Sequence, residues 1–268
     1  MHKVKTSHFF AVNPVFSLGE ATSALRPASG QSGAVQRLKH HLSAGRLKLV
    51  TRGIYAVVPL GAEAKTFEPD PFLVALAVRP DAVFSHHAAF ELLGTAYSAW
   101  DRSTAYTAGR RRSVALAGGS IGFLQHPAAM AQESLLGTRR VERRGRLLTT
   151  TGPERTLVES FRWPVLAGGL GELVESASAI PVLDLDLLEL LLRRYRLSIL
   201  WAAAGWFLET HQNTFHVTEQ VLDRFESHRP KSPQYLARGM RGGTLLPRWH
   251  VIVPESLTRR GEPDEPGT

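Results

Sequence analysis

The chain has no cysteine, which removes disulfides, thiol nucleophiles and every cysteine-based zinc site. It also lacks a long apolar run. Its longest apolar stretches, PFLVALAV and ILWAAAGWFL, fall well short of the ~20 residues that a membrane-crossing helix needs, and they read as core segments. No basic, apolar and small-residue leader opens the sequence, so a cytoplasmic protein without membrane contact is the expectation. No glycine-rich phosphate loop with a following lysine is present, and no Gly-x-Ser-x-Gly elbow. A metal-dependent nuclease needs an acid and a Glu-x-Lys type pair on adjacent strands. The Glu-x-Lys pair found here, Glu63 and Lys65, lies in a stretch that reads as linker. A binding protein rather than an enzyme is expected, with no cofactor and no metal.

Negative charge is nearly missing from the first fifth of the chain. Residues 1–58 carry eight lysines and arginines against the single acid Glu20, a net +7 out of +8 for all 268 residues. The remainder is close to neutral. Clustered lysine and arginine gain affinity for phosphates by releasing counterions, so a polyanion is the expected partner of this end. A surface made basic only for solubility would usually mix both signs.

The order of elements in this segment narrows the polyanion to duplex DNA. TSHFFAVNP predicts a short helix stopped by Pro14. Ser17 and Glu20 form the S-x-x-E pattern of a capping box, with Phe16 placed to staple the start of a second helix, which Pro27 closes. A third helix begins near Ser32 and stops at Gly45. Its Val35, Leu38 and Leu42 make one apolar stripe, so Gly33, Gln36, Arg37 and His40 face outward. Gln36 and Arg37 are residue types that bond adenine and guanine bidentately. RLKLV and GIYAVV then predict a hairpin turning at Thr51, Arg52 and Gly53, with Leu47, Leu49, Ile54 and Val57 on its buried side. This is the order of a winged helix-turn-helix. Its expected DNA-binding residues are Ser32, Gln36, Arg37, Lys39, His40 and His41 on or beside the third helix, and Arg46, Lys48 and Arg52 on the hairpin.

Three runs, RLKHHLSAGRLKLVTRGIYAVVP, DAVFSHHAAFELLG and TTTGPERTLVESF, resemble in order and spacing the AbiEi family of type IV toxin-antitoxin systems. The resemblance extends from about Ser7 to Pro254. It implies an N-terminal winged helix that binds operator repeats and represses its own operon. It also implies a C-terminal domain that opposes a nucleotidyltransferase-like toxin. The expected fold class is α+β, with a winged helix-turn-helix over 1–60, a mixed α/β antitoxin-like domain with a helical end over 61–254, and a disordered tail over 255–268. A stand-alone transcriptional regulator without a toxin is the alternative.

PLGAEAKTFEPDP, residues 59–71, reads as the linker between the two domains. Beyond it a helix at PFLVALAV, a strand at AVF and a helix capped by Ser85 are expected. Strands follow at STAYTA, SIGFLQH, TRRVERRG and RLLTTT, then PERTLVESF with Pro153 in its first turn, and four further helices before a last strand at RWHVIV. Arg139, Arg140, Arg143 and Arg144 are candidates for an exposed antitoxin surface, or for charges that guard a sheet edge. His86 with His87, and His211 with His216, lack metal-ligand spacing. Asp184 and Asp186 read as helix-start acids, and Glu154 with Arg155 as a structural ion pair in which Arg155 ties the helix to the preceding strand.

Overall fold

The computed structural model describes residues 6–25, 30–109 and 112–258, apart from the side chains of residues 30–32. The chain is a mixture of helices and sheets divided into two compact units. The first unit comprises the residues up to 84 together with 101–126 and 140–149, and the second takes 85–100, 127–139 and everything from 150.

The first unit begins with α1 (Thr6–Val12), β1 (Val15–Ser17), α2 (Leu18–Leu25), α3 (Gly30–Ser43), β2 (Leu47–Thr51) and β3 (Ile54–Val57). The capping box forms as expected: Glu20 N–H donates to Ser17 Oγ at 3.2 Å, and Ser17 N–H donates to Glu20 Oε2 at 2.7 Å. Pro27, expected to close α2, lies outside the described residues. Strand β1 was not anticipated. Three residues are too few for a period-2 pattern, and they become a strand only because β3 lends its edge, pairing Val15 with Ala56 and Ser17 with Ile54 in a sheet of order β1-β3-β2. Phe9, Phe16, Leu25, Leu38, Leu47 and Tyr55 fill the space between helices and sheet. Phe16 is the centre of this core, stacked on Phe10 and Tyr55 and edge-on to Phe9 with centroids 5.0–5.8 Å apart.

The first unit continues with α4 (Pro71–Val78), β4 (Val83–Ser85), β5 (Arg102–Thr107), β6 (Val114–Leu116), β7 (Gly119–Gln125), β8 (Thr138–Arg143) and β9 (Arg146–Thr151), the ends of β4, β8 and β9 running on into the second unit. These strands form one sheet of order β6-β7-β5-β4-β9-β8. The expected boundary at residue 60 does not divide the compact units. Helix α4 packs on β1 and β3, and Arg146 of β9 donates to Asn13 Oδ1 at 2.6 Å and to Glu20 Oε1 at 3.1 Å. The N-terminal helices therefore share a unit with strands more than a hundred residues away.

The second unit is mainly helical: α5 (His87–Leu93), α6 (Pro153–Arg162), α7 (Leu170–Ser178), α8 (Leu185–Tyr195), α9 (Ser198–Thr210) and α10 (Glu219–Glu226). Small strands β10 (Gln234–Tyr235), β11 (Thr244–Leu246) and β12 (Val251–Val253) and the turn of helix α11 (Glu255–Thr258) follow. Residues 255–258, expected in a disordered tail, are instead ordered as this turn, in which Leu257 N–H and Thr258 Oγ donate to the carbonyls of Pro254 and Glu255. Residues 259–268 lie outside the described residues. Gly205 of α9 lies against Trp249, whose ring would stand 2.1 Å from any Cβ placed there, so only glycine allows this approach. Beside it Arg248 pairs with Glu209, Glu219, Asp223 and Glu226, clamping the approach to β12 onto α9 and α10.

Helix α6 is buried from Pro153 to Phe161 even though half of it is polar. Each charge finds a partner, as burial demands. Arg155 donates to Glu159 and to the carbonyls of Ser134 and Leu136, and Glu154 accepts from the Asp184 N–H. Glu154 and Arg155 are therefore separate struts rather than a pair with each other, and Arg155 holds the loop before β8. Asp184 caps α8 as expected, accepting from Leu187 N–H. Ser85 does not cap α5. It ends β4, and His86 occupies the cap position with φ of 55° and its Nδ1 2.9 Å from Ser85 Oγ.

His86 is fully enclosed, and burial, reinforced by the nearby Arg155 and Arg162 charges, lowers its pKa to about 3. The unfolded chain binds a proton here below about pH 6.5 that the folded chain refuses until about pH 3. This stability is complete above pH 6.5 and falls with pH at up to about 1.4 kcal/mol per unit. Urea titrations of the wild type and His86→Gln between those limits should differ in slope by that amount. Parallel curves would mean that His86 titrates as it does in the unfolded chain.

Candidate nucleic-acid interface

Helix α3 is oriented by Ala34 and Leu38, both buried, with Val35 and Leu42 half-buried beside them. Gln36, Lys39 and His40 are exposed and Arg37 is half-exposed, so the outward face has the composition that periodicity indicated. The side chain of Ser32 lies outside the described residues. His41 is turned inward. Its ring meets Phe10 edge-on at 4.9 Å, its Nδ1 is enclosed without a hydrogen-bond partner among the described residues, and burial with the neighbouring Arg46 charge lowers its pKa. Its packing on Phe10 sets His41 apart from the outward-facing residues of the expected set.

The helix passes to the hairpin through Gly45, which takes φ of 68°. Arg46 is exposed, and its guanidinium, which can only donate, bonds His40 Nε2 at 3.1 Å. These two residues thus form one polar ridge at the end of α3. Arg52 is exposed in the tight turn, where Gly53 supplies φ of 77° and its carbonyl accepts from Leu18 N–H at 2.8 Å. The start of α2 and the Arg52 turn are thereby fixed to each other.

Two hairpin residues differ from expectation. Lys48 does not reach outward: its ammonium donates to the Phe67 carbonyl at 2.6 Å and approaches that of Lys65 at 3.4 Å. It fastens the segment that reads as linker onto β2, a long-range contact with no sequence signal. Leu49, expected on the buried side, is 52% exposed. The register between β2 and β3 shifts between Leu49 and Thr51, so strict alternation fails there and Tyr55 and Ala56 are buried together.

The four candidate arginines of β8 and its turn also part company. Arg139 and Arg140 are exposed. Arg143 is a structural residue, with its guanidinium over the Phe72 ring at 4.4 Å and donating to Asp70 Oδ2 at 2.7 Å. Asp70 is itself the cap of α4, accepting from Phe72 N–H. Arg144 is largely exposed, 3.5 Å from Asp70, with φ of 49°. Among the described residues no three of His, Asp and Glu converge as a metal site, and no helix is long and apolar enough to cross a membrane.

No protein-family model matches this chain, and no curated protein matches it. A solved structure does. The crystal structure of the Rv2827c protein from Mycobacterium tuberculosis superposes with a TM-score of 0.65, covering 95% of this chain and 92% of that one at 19% identity. At that identity the likeness shows a shared fold.

Lys48→Met should lower stability by about 1.5–3 kcal/mol, the contribution typical of hydrogen bonds from a charged group. Chemical denaturation measures it, and a stability equal to wild type would return Lys48 to the set of outward-facing cations.

Proposed function

We propose that this chain is a DNA-binding transcriptional repressor whose first 60 residues act as a winged helix-turn-helix, and that it serves as the antitoxin of a type IV toxin-antitoxin system. The observation that carries the DNA-binding half is the outward face of α3. Gln36, Arg37, Lys39 and His40 stand there beside a tight hairpin tipped by Arg52, in a segment whose single acid, Glu20, is taken up by its capping box and Arg146. The element order of helix, strand, two helices and a two-stranded hairpin supports the same reading. In it Gln36 and Arg37 read base edges in the major groove, while Lys39, Arg46 and Arg52 hold phosphates.

Repression follows from occupying the promoter. The antitoxin half rests on the AbiEi resemblance, with a nucleotidyltransferase-like toxin as the functional partner. The role is one of binding rather than catalysis.

Arg37→Ala should weaken binding to DNA from the chain's own promoter by about 1–3 kcal/mol and relax base preference at one position. A mobility-shift titration reads both, and unchanged affinity would exclude α3 as the reading helix. Co-expression with the product of the neighbouring gene tests the other half. Relief of growth arrest supports the antitoxin role, and the absence of any arrest to relieve leaves a stand-alone regulator.

A further inference from the structure

Three arginines of the β8–β9 hairpin stay exposed after the structural ones are set aside, Arg139 and Arg140 on the strand and Arg144 in the turn, where it grazes Asp70 at 3.5 Å; Arg140 and Arg144 belong to the first unit. Strand β8 is at the edge of its six-stranded sheet. The turn itself is unusual. Arg144 and Gly145 take φ of 49° and 77°, the pair of left-handed residues of a type I′ turn, whose first position favours Asn, Asp or Gly. An arginine there keeps a cation at the hairpin tip against the preference of its own backbone. The acid within the hairpin, Glu142, is directed at the turn, accepting from Gly145 N–H at 2.5 Å.

The position of this tip is fixed by bonds within the first unit. Arg146, two residues after Arg144, donates to Glu20 in the first turn of α2 and to Asn13 just before β1. Leu18, which opens α2, donates to Gly53 beside Arg52. The hairpin tip and the Arg52 turn therefore attach to the same short segment, residues 13–20, through three hydrogen bonds of 2.6–3.1 Å. Both present arginines to solvent.

We propose that the β8–β9 hairpin is a second contact with the DNA backbone, in which Arg140 and Arg144 bind phosphates of the same duplex beside those held by Arg52. This rests on the DNA-binding reading above and extends the contact to a part of the chain some ninety residues further on. Arginine suits the task because its planar fork matches phosphate oxygens. Guarding a sheet edge would require only charge, of either sign.

The test uses the full chain and a mixed-sequence duplex of about 30 base pairs, followed by fluorescence anisotropy between about 50 and 200 mM NaCl. Arg52→Gln should make the dependence of log affinity on log salt shallower by about 0.9, and the double variant Arg140→Gln/Arg144→Asn by about 1.8. Asparagine suits the left-handed turn, so this double variant should melt at or above the wild-type temperature while binding more weakly. Arg140→Lys/Arg144→Lys should keep most of the salt slope. A double variant with wild-type affinity and slope, when Arg52→Gln is impaired, overturns the hairpin contact and leaves the rest of the DNA interface standing. The same result with protection against the toxin lost assigns the two arginines to a protein partner instead. No salt-dependent binding by the wild type refutes the DNA-binding reading, and the hairpin contact with it.

Discussion

Glu20 is the one carboxylate in the first 58 residues, and both of its oxygens are occupied by the fold. One closes the capping box with Ser17 and so starts α2. The other takes Arg146 and joins the N-terminal helices to β9. A surface ion pair of this kind contributes little stability by itself. Its effect is on placement. It fixes the entrance to α2, and with it the Leu18–Gly53 bond and the Arg52 turn, against a strand from the middle of the chain. It also withdraws the only local counter-charge from the basic face of α3.

The basic residues of this region divide into those that build the unit and those that remain available to a partner. Lys48 has its charge satisfied by carbonyls, Arg143 by the buried Asp70 and an aromatic face, and Arg146 by Asn13 and Glu20. Lys39, Arg52, Arg140 and Arg144 stay at the surface. The division follows from reach. Lys48 and Arg143 lie where a neighbouring segment brings an acceptor to 2.6–2.7 Å, whereas the others are open to solvent, Arg144 only grazing Asp70 at 3.5 Å. Net charge alone therefore overstates the face a polyanion can meet.

The second unit solves a different problem, since its central helix α6 carries Glu154, Arg155 and Glu159 into buried positions. Burying charge is tolerable only when each group meets a partner of fitting geometry. Here the partners come from a loop, from the start of α8 and from the Tyr195 hydroxyl, which donates to Glu159. Tyr195, held between burial and that carboxylate, is kept protonated far above its usual range. Such a network fixes how α6 and α8 meet, which an apolar helix of the same length would leave less defined.

What the sequence determined by itself was local. The capping box at Ser17 and Glu20, the stop at Gly45, the turn at Gly53, the cap at Asp184 and the outward face of α3 each depend on residues within one or two helical turns of one another, where spacing carries the information. The division of units, the inward turn of His41, the tether made by Lys48 and the roles of Arg143, Arg146 and Arg155 came only with the tertiary structure. Each of these depends on a partner 17 to 133 residues away or on a ring from another element. No periodicity encodes such a pairing. A lysine on a strand reads the same whether water or a distant carbonyl receives its charge, and only packing decides which of the two is there.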